Sequence, residues 1–144
     1  MSTLFTDVMT VFNYGRDETG KEYWNRSFVQ GVQWQHNRKE VIVTQNVQTI
    51  SRVESITVDF RKSYGRKPYL PYPDYTQLPD EKKKGYWSLG DDKDILVLGQ
   101  CDMELHEAKD IKRLKESFST VVSVMAISDN RNRLRLKNIK VVAK

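Results

Sequence analysis

Residues 24–34 read Trp-Asn-Arg-Ser-Phe-Val-Gln-Gly-Val-Gln-Trp, an alternating segment with a tryptophan at each end and one glycine inside it. A β-strand has a side-chain period of two. Trp24, Arg26, Phe28, Gln30, Val32 and Trp34 therefore fall on one face, while Asn25, Ser27, Val29, Gly31 and Gln33 fall on the other. The first set is largely apolar and is expected to line a core. Gly31 marks a bulge, a close backbone approach or a bend at a barrel corner, the usual reasons for glycine inside a strand.

The flanking sequence extends this pattern. Residues 8–14 alternate and are rich in β-formers, and the glycine-bounded stretch 15–20 is a turn signal, so a hairpin with 22–34 is expected. Residues 40–44 suggest a short strand, and 53–60 a clearer one with a polar outward face. Residues 86–89 and 95–101 read as two further strands, joined as a hairpin through Gly90 to Asp94. Strands over 120–128 and 134–142, joined by a turn at 129–133, close the chain. Leu105, Ala108, Ile111 and Leu114 recur at helical spacing and predict one helix over 104–116, lying across an opening of the β-structure. The fold class is thus mainly β: a small antiparallel β-barrel or sandwich of seven to eight strands with one short α-helix and a long inserted loop.

That loop spans 62–85 and holds all four prolines of the chain, the tyrosines Tyr64, Tyr69, Tyr72 and Tyr75, and the run Lys82, Lys83 and Lys84. Such a concentration predicts irregular structure, and long loops inside compact domains are commonly functional. Its aromatic content points to eventual order and to burial in an interface.

At 144 residues the chain has room for a single domain, residues 1–144, with a core that needs neither disulfides nor a metal. Cys101 is the lone cysteine and ends an apolar run, so it reads as a small buried hydrophobe. With two histidines besides, no zinc spacing is formed, and no cofactor is expected. There is no G-x-S-x-G elbow and no phosphate-cradling glycine loop, so an enzyme is not expected. The low mean hydropathy, −0.66, favours a component of an assembly. No apolar run approaches the ~20 residues that span a bilayer, and 1–10 lack the pattern of a signal peptide, which predicts a soluble protein made in a cytoplasm.

The net charge of +5 is unevenly placed. Asp91, Asp92, Asp94, Asp102, Glu104, Glu107 and Asp110 face only two lysines within 91–110, whereas residues 131–144 are basic and carry no acid. Asp91, Asp92 and Asp94 lack the spacing of a calcium loop and read as a solvated turn that could form an acidic interface patch. Arg131, Arg133, Arg135 and Lys137 occupy every second position, so a regular strand projects all four from one face. This stripe could meet an acidic surface on a neighbouring subunit, protect a sheet edge, or follow a phosphate backbone; the subunit interface ranks first and DNA contact last.

Four places carry a resemblance to the small minor-capsid or head-closure (neck) proteins of tailed phages and prophages, especially those of Gram-positive bacteria. Residues 11–14 resemble an opening V-x-N-x-Y-type strand, and 24–34 a W-x-R-T-x-I-x-G-V-x-W segment with Ser27 and Val29 substituted. Trp87, Ser88 and Leu89, followed by 94–99, are similar to a W-T-L…G-D-I-V-V-x-G hairpin, with Lys93 in place of the glycine. Residues 124–131 resemble an I-T-S-V-T-D-N-R turn. The resemblance covers nearly the whole chain, although the 62–85 loop is longer and more basic than the family pattern. It implies a β-barrel with Trp24, Trp34 and Trp87 as core residues and Gly31 as a bend. It further implies a homo-oligomeric ring at the head–tail junction of the virion, between portal or adaptor and tail proteins, which closes the filled head and offers the tail its docking surface. Residues lining the channel of such a ring would face packaged DNA, which leaves room for non-specific contact; the 62–85 loop would make inter-subunit or channel contacts, and no membrane is involved. The alternatives are a tail-terminator ring protein and an OB-type nucleic-acid-binding barrel.

Overall fold

The computed structural model describes residues 7–44, 47–59, 64–65, 67–129 and 138–144. Strand β1 (Asp7–Arg16) turns back into β2 (Glu22–Thr44) through a tight loop organised by Asp17. One Asp17 carboxylate oxygen accepts the N–H groups of Thr19 and Lys21, each at 2.9 Å, and the Thr19 hydroxyl at 2.6 Å. Strand β3 (Val47–Asp59) pairs with β2, and β4 (Tyr64–Gly65) adds two residues to β2 at Val29 and Gln30. Two short helices, α1 (Tyr72–Tyr75) and α2 (Asp80–Lys83), precede β5 (Ile95–Leu98), helix α3 (Lys109–Ser117), and the last strands β6 (Val121–Asp129) and β7 (Asn138–Ala143).

All strand pairings are antiparallel and run β1–β5–β6–β7–β3–β2, with β2 returning to β1, so six strands close in a ring. Closure removes the open edges that an antiparallel sheet of this size would otherwise expose. Together with β4 there are seven strands among the described residues, and the protein is a small β-barrel, as its alternation predicts.

The barrel closes through β2. Its first half pairs with β1 as far as Val32, and from Val32 onward it pairs with β3. At the exchange, Val8 lies opposite Gln30 and Asp7 opposite Val32, so Gly31 is an extra residue in the ladder, and it has φ of 76°. That left-handed backbone favours glycine, and the bulge bends the strand into the next wall of the barrel.

The bulge also changes which residues face inward, and here the structure corrects a single apolar face over 24–34. A one-residue insertion reverses side-chain parity. Before Gly31 the inward residues are Ser27 and Val29; after it they are Val32 and Trp34. Trp24 lies on the outer surface of the barrel in a second cluster, and Phe28 and Arg26, on that outer side, are only partly buried.

The structure therefore has two apolar clusters on opposite faces of one sheet. Inside the barrel, Met9 and Val11 of β1 meet Leu96 of β5, Val122 and Val124 of β6, Ile139 and Val141 of β7, and Ile56 and Val58 of β3. Outside it, Phe12, Trp24, Ile95, Val97 and Cys101 are covered by Leu105 and by Leu114 of α3. The helix thus packs on the outer wall rather than across an opening. It also begins later than its periodicity predicts, because Asp110 uses its carboxylate to accept the N–H groups of His106 (3.0 Å) and Glu107 (3.1 Å) in a non-helical turn.

Two further expectations are corrected. Residues 86–89 are no strand of a hairpin: Trp87 forms an isolated parallel bridge with Tyr69, while β5 pairs with β1 and β6. The 62–85 loop holds β4, α1 and α2, because Pro71 and Pro79 stand just before the two helices, where a missing N–H is harmless.

Candidate functional site

The two ends of segment 67–90 fold inward and stopper the barrel, while α2 between them buries no residue. Trp87 and Leu89 join the interior cluster, and Tyr69 packs edge-on against Trp87 with ring centroids 4.8 Å apart. The Leu70 N–H donates to the Trp87 carbonyl at 2.9 Å and the Trp87 N–H to the Pro68 carbonyl at 3.1 Å, which ties the two limbs together. Asn13, buried on the inward face of β1, fixes them to the wall: its amide nitrogen donates to the Ser88 carbonyl, and its oxygen accepts the Ser88 N–H at 3.1 Å. One side chain thereby acts as a strand neighbour for a backbone that has none on that side.

The tyrosines of this segment are used largely within the chain. Tyr72 packs so closely on Gly90 that a Cβ there would lie 2.3 Å from its ring, and its hydroxyl donates to Asp91 at 3.3 Å. Tyr75 is buried and accepts from the Asn25 amide at 3.4 Å; burial pushes its phenol up to about 12. The Lys83 amine sits 5.6 Å over the Tyr75 ring and 3.9 Å from Asp80. Asp80 also accepts the Tyr23 hydroxyl, whose ionisation is raised by burial and by that carboxylate. Lys82 and Lys84 remain exposed. Tyr64, in β4, pairs through its backbone with Gln30 of β2.

The acidic turn divides into unlike parts. Asp92 is exposed and Asp91 partly so, available to a partner surface. Asp94 is only 2% exposed and accepts three backbone N–H groups, from Tyr14 (2.8 Å), Gly90 (3.2 Å) and Asp91 (3.1 Å). Burial outweighs these donors and raises its carboxyl to about 7. Asp94 thus pins the turn to β1. The four basic residues Arg131, Arg133, Arg135 and Lys137 lie outside the described residues.

A pocket of about 390 Å³ opens beside the outer cluster, walled by Trp24, Tyr23 and Leu105 and carrying Arg26, Lys67, Lys84, Glu104 and His106. The Arg26 guanidinium donates to the Asp102 and Met103 carbonyls and lies 3.9 Å from Glu104. Lys67 donates to the Arg26 carbonyl at 2.8 Å, and its amine is lowered by burial and by the Arg26 charge. Sequence reading passed over this pocket: Arg26, Lys67 and Lys84 are distant in the chain, and β4 and the loop bring them together.

A third feature projects from the barrel. Among the described residues β2 has no β1 partner beyond Val32 and β3 no β7 partner before Glu54, yet the two continue to pair to Thr44 and Val47. Residues 37–44 and 47–52 thus form a two-stranded arm, roughly 20–25 Å long at about 3.4 Å per residue.

Among the described residues no group of three or more His, Cys, Asp or Glu side chains is placed to hold a metal ion, and no helix is long and apolar enough to cross a membrane. Cys101 is fully buried in the outer cluster, and burial raises its thiol. No curated protein and no solved structure matches the chain. A family model does match it, over residues 4–144, and the chain belongs to that family of unknown function, DUF6751.

Proposed function

We propose that this protein is a structural component of a tailed-phage neck, assembling as a ring between the portal or adaptor and the tail. The observation that carries the reading is the arm. A two-stranded ribbon is at best marginally stable alone in water, and its outer backbone groups are open to pairing. Such an element gains its stability by lying on a neighbour, as the subunits of a ring allow. A closed, stoppered barrel supplies the rigid body from which the arm reaches. The motifs resembling those of neck proteins also meet in space: Asn13 of the first grips Ser88 of the third, and Gly31 of the second makes the bend.

Deleting the gene from an inducible prophage tests this reading. The expected result is a lysate of full-sized heads and separate tails by negative-stain electron microscopy, joined again when the gene is supplied in trans. Intact infectious particles from the deletion strain would refute it.

A further inference from the structure

The pocket beside Trp24 holds more positive than negative charge, and two of its cations are held chiefly by neutral groups. Arg26 is held chiefly by two backbone carbonyls, and Lys67 by a third. Carbonyl oxygens orient these side chains without neutralising them. Arg26 is also paired with the carboxylate of Glu104, whose side chain is 63% exposed, lies 3.9 Å away, and faces His106 at 3.4 Å. Lys84 adds a further cation at the rim. Arg26, Lys67 and Lys84 against Glu104 leave two positive charges unmatched when His106 is neutral. Burial lowers the Lys67 amine and the Arg26 charge lowers it further, a repulsion that a bound anion would relieve.

We infer that this pocket is a binding site for a carboxylate-bearing peptide segment, an acidic side chain or chain terminus presented by an assembly partner. The cavity is concave, about 390 Å³ in volume, and walled on one side by Trp24, Tyr23 and Leu105. A carboxylate on a short aliphatic stem fits such a site, its oxygens on Arg26 and Lys67 and its carbons on the aromatic wall. A DNA duplex presents its phosphates on a broad convex rod that does not enter a recess of this size. The inference rests on the assembly reading for the nature of the partner, but not for the binding itself.

The test is a two-dimensional ¹⁵N NMR titration of the full chain with a tri-aspartate peptide, a tri-asparagine peptide, and single-stranded and duplex oligonucleotides. Tri-aspartate should give saturable shifts at the Trp24 indole and at the amides of Arg26, Leu105 and His106, with affinity at least roughly tenfold above tri-asparagine. Lys84→Gln, at an exposed position, should weaken binding roughly threefold, and Lys67→Gln roughly tenfold or more. Should Lys67→Gln fail to fold, Lys84→Gln and the tri-asparagine comparison still decide. Absence of saturable shifts at these residues, equal binding of both peptides, or saturation by an oligonucleotide and not by tri-aspartate would each overturn the inference. Failure here leaves the neck reading standing, whereas intact particles from the deletion strain would remove that reading and leave the pocket.

Discussion

Asn13 shows how much one side chain can decide. It supplies a donor and an acceptor to the Ser88 backbone inside the barrel, so Asn13→Ala leaves two buried backbone groups without partners. Such a loss should lower stability by about 2–4 kcal/mol in chemical denaturation, with a red shift in tryptophan emission as Trp87 becomes wetter. Gly31→Ala, at a φ of 76°, should cost about 1–2 kcal/mol. Asp94 makes stability depend on pH in an uncommon direction for a carboxylate. Its folded ionisation near 7 lies above the ordinary 3.8, so between about pH 4 and 7 the folded state holds a proton that the unfolded state has released. Its contribution is therefore full below pH 4 and falls as pH rises to 7, by an amount on the order of a few kcal/mol. Urea denaturation at pH 4.5 and 7.5 should show this drop in the native protein and not in Asp94→Asn. Of these three residues, Gly31 was legible in sequence, because glycine within an alternating strand has few explanations. Asp94 was not, since three backbone donors converge on it only after the chain folds.

At the scale of elements, β-strands were legible wherever alternation was local, as in β1, the first half of β2, and β6. The failures share a physical cause. The reversal of parity at Gly31 depends on how β2 pairs with β1, and the inward path of 86–90 depends on Asn13, 75 residues distant from Ser88. The short strand expected over 40–44 is the end of β2, and β3 begins before the expected 53; among the described strands these outer stretches pair only with each other. The arm therefore contributes little to the barrel. Replacing residues 40–51 by Asn-Gly joins Lys39 and Arg52, which already face each other across the ladder, through a two-residue turn. This variant should keep the thermal midpoint of the native protein within a few degrees while losing self-association in light scattering at high concentration. A large loss of stability would place the arm in the fold rather than in assembly.

The whole molecule combines a closed ring of six strands, a stopper drawn into its interior, and an outer wall covered by α3. The mainly β architecture was legible from composition and periodicity. The position of the helix on the outside was not, because Phe12, Trp24, Ile95 and Val97 form an outward apolar face that appears only once the strands are aligned. Of the candidate site, the loop tyrosines were legible as a cluster, but Tyr69, Tyr72 and Tyr75 hold the stopper together, while the cationic pocket arises from residues that no spacing connects. Among the described residues, the arm, the pocket and the exposed acid Asp92 are features that the proposed ring would offer to neighbouring subunits. Cryo-electron microscopy of the virion, at a resolution that traces this chain, tests the neck reading most directly. The predicted result is a ring of this barrel between portal and tail, with residues 37–52 of each copy lying against the next subunit or an adjacent ring. Density for the chain elsewhere in the particle, or a junction built without it, would contradict that placement.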